Sequence, residues 1–141
     1  MITIEEGLLH FLTNNAGVSA LVSTRIYPNK LPQSSPLPAI TYQRISTPRV
    51  HTHDTSGKTG TAYPRFQFDA WGTSYASCKA VADAIRAALN GYRGTMGGAD
   101  PVTVQGALID DERYDNSPDT GMERIMSDFI IWHLEAYHGK R

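Results

Sequence analysis

The sequence is poor in cysteine: Cys78 is the only one among 141 residues. An intrachain disulfide is therefore excluded, and no oxidising compartment is required. An excess of charge is missing too, since 13 basic residues face 14 acidic ones for a formal net charge of -1. A protein that lives on phosphate contacts carries a basic excess, so this balance argues against DNA binding as the main function. No stretch approaches the ~20 apolar residues of a membrane span, and the longest apolar cluster near the end, residues 129–132, is strand-sized. The opening MITIEEGLLHFLTNN has neither a basic leader nor a long apolar run, so it does not read as a signal peptide. The expectation is a soluble protein made in the cytoplasm. What is present suffices for a core: 40% of residues are hydrophobic and 19% charged, which also argues against wholesale disorder. The length fits one domain spanning 1–141.

Thr3 and Glu6 form a capping-box pattern, and Ile4, Leu8, Phe11 and Leu12 follow on one helical face. That helix is expected to stop near Gly17, with a short second turn at 18–22. Prolines 28, 32, 36 and 38 then mark an irregular connection. Residues 39–46 (AITYQRIS) read as a strand, being β-branched and aromatic. A second strand is expected over 62–72, with Phe66, Phe68 and Ala70 facing one way and Arg65, Gln67 and Asp69 the other. Residues 47–61 between them form a polar loop, longer than a tight hairpin needs.

The clearest element is a helix over 74–90. Cys78, Val81, Ala82, Ile85, Ala88 and Leu89 make its apolar stripe, and Lys79 with Asp83 an i, i+4 pair on the other side. Ser74 suits its N-cap and Gly91 its end. Residues 94–98 read as a turn, 102–109 as a third strand and 122–137 as a fourth. In the fourth, Met126, Ile130, Trp132, Leu134 and Ala136 share a face, and Asp128 interrupts the row. The order helix-strand-strand-helix-strand-strand predicts an α+β fold, an antiparallel-rich four-stranded sheet packed against helices.

Candidate chemistry is thin. Ser56-Gly57-Lys58-Thr59 resembles the tail of a phosphate loop, but position 52 is Thr where a glycine is needed. The segment also leads into a strand and so lacks a helix N-terminus to hold an anion. His51, His53 and Asp54 offer metal-ligating types, yet ligands two apart in a loop are poorly pre-organised, and His133 and His138 have no reason to converge on them. Asp110, Asp111, Glu112, Asp115 and Asp119 crowd what reads as a solvated acidic turn. A calcium loop counted from Asp115 would place Gly121 seventh and Met126 twelfth, against the required glycine at six and glutamate at twelve. There is no G-x-S-x-G elbow, and Cys78 lies on an apolar helix face without a neighbouring histidine. Trp71 and Trp132 read as core or interface anchors. No catalytic residue, metal or cofactor is therefore expected, and no enzyme.

Several short stretches in order carry a resemblance: residues 20–28 (ALVSTRIYP) and 31–33 (LPQ), 37–46 (LPAITYQRIS), the polar 51–54 (HTHD), 66–72 (FQFDAWG) with Tyr75 and Ala76, and the helix 80–89. With these the chain resembles the phage tail-completion family, the small tail-terminator or head-to-tail joining proteins of long-tailed phages. The resemblance spans residues 1–90, and beyond them the two-strand pattern agrees. It implies a ring-forming subunit, commonly a hexamer, at the head-proximal end of the tail, which ends tail-tube polymerisation and joins tail to head. The implied partners are further copies of itself, the tail-tube protein and head-tail connector proteins, with DNA only passing through the lumen and no membrane. The implied location is the virion tail, and the host cytoplasm during assembly. Strands with edges to pair and a long polar loop suit such a role. Arg49, His51, His53, Asp54 and Lys58 in that loop are the assembly-interface candidates, and deleting residues 48–60 should leave the fold intact while abolishing assembly. The alternatives are a head-completion or connector-adaptor protein and a small metal- or ligand-binding domain built on His51, His53 and Asp54.

Overall fold

A computed structural model describes residues 2–50, 59–117 and 121–136. The predicted capping box opens α1 (Ile4–Thr13): the Glu6 amide donates to Thr3 Oγ1 at 3.2 Å, and Glu6 Oε1 accepts from the Thr3 amide at 3.0 Å. The helix stops at Asn14, earlier than expected, because Asn15 caps a second helix, α2 (Ala16–Val22), by accepting the Val18 amide at 3.1 Å. Then come β1 (Ile26–Pro28), β2 (Ala39–Ser46), β3 (Thr59–Ala62) and β4 (Arg65–Gly72). After α3 (Tyr75–Leu89) follow β5 (Gly94–Met96), β6 (Val102–Ser117) and β7 (Met122–Ala136). Among the described residues no helix is long and apolar enough to cross a membrane.

The expected four-stranded antiparallel sheet is wrong. The sheet has seven strands in the order β1-β2-β4-β7-β6-β5, with β3 also on β7, and it curls into a half-barrel with three helices. It is mixed, since β1 runs parallel to β2 while the other pairs are antiparallel. Two strands were missed because β1 and β5 have three residues each, too short to show alternation. The strand expected over 62–72 is split at Tyr63-Pro64. Its register on β7 nonetheless continues, from Ala62 opposite His133 to Arg65 opposite Ile130. Pro64 lacks an amide proton, but its carbonyl still accepts the Ile131 amide at 3.0 Å.

The expected acidic turn is also strand. Residues of β6 as far as Ser117 pair with β7 through two bulges, at Val104/Gly106 and Ile109/Asp111. Aspartate is a poor strand former, but here Asp111 and Asp115 alternate onto one face where arginines hold them. The margins of the expected loop belong to the sheet as well: Arg49 bridges Ala62, and the Val50 amide donates to Thr61. Removing 48–60 would therefore cut into the sheet, so a deletion compatible with this fold is narrower.

The helices cover one face. Phe66, Phe68 and Phe129 are fully buried there with Ile85 and Leu89 of α3 and Leu8 and Leu12 of α1. Phe68 meets Phe129 edge-on with centroids 5.6 Å apart. Gly7 lets α1 approach the far end of the sheet, since a Cβ there would lie 2.6 Å from Val102 Cγ1 and 3.2 Å from Met96 Cβ. Gly7→Ala is expected to destabilise the fold by about 1–3 kcal/mol despite the better helix propensity of alanine. Thermal unfolding of the variant beside the parent measures this.

Candidate functional site: the outward face of the sheet

Period-two alternation sends Arg65, Gln67 and Asp69 of β4 to one face as expected, the face away from the helices, and Trp71 follows them. Register places Ile130, Asp128, Met126 and Arg124 of β7 opposite them in turn. The row of Met126, Ile130, Trp132 and Leu134 is thus outward, while Ile125, Phe129 and Ile131 fill the core. Asp128, the interruption in that row, is the hub of an ionic lattice.

Asp128 accepts from Arg65 at 3.2 Å and from Arg113 at 3.2 and 3.4 Å. Arg65 also reaches Asp110 at 2.6 Å, and Arg113 reaches Asp111 at 2.7 Å. Arg124 holds Asp69 at 3.1 Å and Asp115 at 3.3 Å, and lies 5.1 Å above the Trp71 ring. Gln67 links the two halves, donating to Asp69 at 2.8 Å and accepting from Arg113 at 3.4 Å. Five carboxylates and three guanidiniums thus share one surface. Burial pushes the Asp69 carboxyl above its ordinary value, opposed by Gln67 and Arg124. Arg113 holds Asp111 below it. These carboxylates are committed to arginines, so none of the five stands free for proton transfer in this structure. At one end the loop after β1 overhangs the face, enclosing a cleft of about 560 Å³ with Lys30, Gln33, Gln43 and Trp71 in its lining.

The other half of the same face is apolar. Trp132 stacks on Tyr63 with centroids 6.2 Å apart, and Gly106 stands opposite Trp132 with open space where a Cβ would be. Leu108, opposite Ile130, is 52% exposed, and Val50, bonded to the Thr61 strand, is 50% exposed. Together with Leu134 these residues make a band crossing four chain segments, a feature that on soluble proteins marks an interaction site.

Of the candidates read from the sequence, Arg49 is exposed at the sheet margin and ion-paired with Glu135. His51, His53, Asp54 and Lys58 lie outside the described residues. Among the described residues no group of three or more His, Cys, Asp or Glu is placed to hold a metal ion. His133 is buried on the core face with Nδ1 2.8 Å from the Leu134 carbonyl and Nε2 without a partner. Burial pushes its pKa down. The Cys78 thiol, buried and near Glu123, is pushed up to about 11 and stays protonated. Sequence reading missed the apolar band because its members come from four separate segments. The one signal for it was the second apolar row of β7.

A family model described as Tail completion protein gp17 matches residues 6–134. Among solved structures, a chain from "Virion of native gene transfer agent (GTA) particle" is similar, with a TM-score of 0.55 and 21% identity over 86% of this chain and 87% of that one. At that identity the likeness is one of fold. No curated protein matches the sequence.

Asp128→Asn should cost about 1–2 kcal/mol in denaturant unfolding, since both of its guanidinium partners remain solvated. The loss should shrink in high salt. For His133 the folded pKa lies below the ordinary 6.5, so the unfolded chain takes up the proton first as pH falls. Stability is then full above about pH 6.5 and declines below it. Urea unfolding at pH 7.5 and 5 should show that decline, and His133→Leu should flatten it.

Proposed function

The chain belongs to the Tail completion protein gp17 family, and from that premise we propose that it is a ring-forming subunit at the head-proximal end of a phage tail. Membership makes it a structural protein of the phage tail and of the virion. In the finer reading it ends tail-tube polymerisation and joins tail to head, as a ring of six copies with DNA passing through the lumen. Its partners are then its own copies, the tail-tube protein and the head-tail connector proteins.

The observation that carries this reading is the apolar band of Tyr63, Leu108, Ile130 and Trp132. A monomer gains nothing from exposing it, whereas a subunit buries it on assembly. No catalysis enters the proposal, because the outward carboxylates are held in ion pairs and Cys78 is buried and protonated. Arg49, His51, His53, Asp54 and Lys58 are proposed to contact neighbouring subunits or the tube.

Disruption of the gene in its phage should yield overlong tails if the subunit stops the tube, or filled heads beside free tails if it joins them. Negative-stain microscopy of lysates distinguishes the two, and normal infectious particles would refute the proposal. Deleting 51–58, which leaves the paired margins in place, should preserve the fold and abolish assembly. Leu108→Glu should likewise melt within a few degrees of the parent yet fail to complement the disruption, and full complementation would remove the band from the assembly surface.

A further inference from the structure

The two ends of the sheet differ in charge, and we propose that they meet between copies: the acidic open edge of β6, residues 110–116, docks head to tail on the basic β1 margin of a second copy of this chain. This rests on the ring-forming reading and names the surfaces that would build the ring.

The β6 edge is open over that stretch. β5 covers only Val102, Thr103 and Val104. Just beyond, Gly91 donates to the Ala107 carbonyl and Asn90 accepts the Ile109 amide. From Asp110 onward no described strand lies alongside. Alternate residues of an antiparallel strand turn their N–H and C=O groups away from their partner, so this edge presents unpaired backbone groups. It is also acidic in balance: Asp110, Asp111, Glu112 and Asp115, together with Asp69 and Asp128 beside them, share only the four cations Arg65, Lys79, Arg113 and Arg124.

The opposite end of the sheet is the reverse. Between Glu6 and Asp54 the sequence holds no acidic residue. At the β1 margin the Arg25 guanidinium, among the described residues, donates only to carbonyls, of Pro38 at 2.9 Å and Leu21 at 3.4 Å. Lys30 is exposed and makes no ion pair with a described residue. These cations have no counter-charge among the described residues, whereas the β6 edge has carboxylates in excess of its cations and about half exposed, Asp111 at 53% and Asp110 at 49%.

Charge also selects the mode. Two β6 edges brought together would set carboxylates against carboxylates, which is destabilising. Pairing unlike edges from opposite ends of the sheet is heterologous, the kind of contact that closes a ring when the rotation fits. Apolar area is present on both sides. Tyr75 and Tyr114 form an exposed T-shaped pair, centroids 5.1 Å apart, beside the acidic edge. Leu31 and Pro32 follow Lys30 in the basic margin. Aromatic anchors with complementary charge around them are the usual composition of a specific interface.

The test uses the full chain, in which buried Cys78 stays silent. Lys30→Cys protein mixed with Asp111→Cys protein should form a disulfide-linked pair on mild oxidation, and neither variant alone should. Lys30→Glu, which breaks no ion pair with a described residue, should raise the concentration for half-assembly about five- to tenfold at low salt. Adding Asp111→Lys should recover most of that loss. Cross-linking of Asp111→Cys with itself, or assembly unchanged by Lys30→Glu, would overturn the edge contact while leaving the ring intact. A parent chain that stays monomeric by light scattering at every concentration would overturn the ring reading itself, and this contact with it.

Discussion

β7 is paired along both edges, with β6 on one side and β3 followed by β4 on the other. Its 15 residues thereby fix the register of β4 and β6, and through β4 that of β2. A slip of one residue would turn Ile125, Phe129 and Ile131 out of the core and drive Arg124 and Asp128 into it. The core and the ionic lattice are thus two consequences of one ladder. Pro64 shows how strict the constraint is, because the chain gives up an amide donor there and keeps its register across the break.

The lattice follows from that constraint. Asp69 and Asp128 are almost buried, and a carboxylate desolvated without partners would be costly. Arg65, Arg113 and Arg124 meet that need from neighbouring strands while staying partly solvated themselves. The residual acidic character falls on β6, at the margin of the sheet. Position in the ladder therefore decides where the pairs balance inside the subunit and where carboxylates outnumber their cations, the excess that the proposed edge contact would use.

How much was legible in the sequence follows the length of each pattern. α1 and α3 carry caps and several turns of apolar periodicity, and both stand within a few residues of expectation. β2 has an eight-residue β-branched and aromatic run and was read in full. β1 and β5 are too short to show a period, and the aspartates of β6 mimic a turn until their cross-strand arginines are known. The polar face of β4 was visible in Arg65, Gln67 and Asp69. Asp128 was visible only as an interruption, because β7 is apolar on both faces and periodicity alone cannot say which row is buried. The band of Tyr63, Leu108 and Trp132 needs the topology before it exists at all.

That double apolar character of β7 separates the tasks of the surface. A strand that served only the fold would have one apolar row and one polar row. Here the second row is polar where Arg124 and Asp128 lie and apolar from Ile130 to Leu134, so half the outward face is an apolar band that the described residues cover only in part. The sheet edges differ from it in kind, being short, bulged or charged, which blunts indiscriminate strand pairing. In the proposed ring, the subunit joins its own copies through charge-selected edges, where specificity matters most. On that reading the apolar band is left to a partner that stays in place once bound, because lasting burial keeps such a surface out of water.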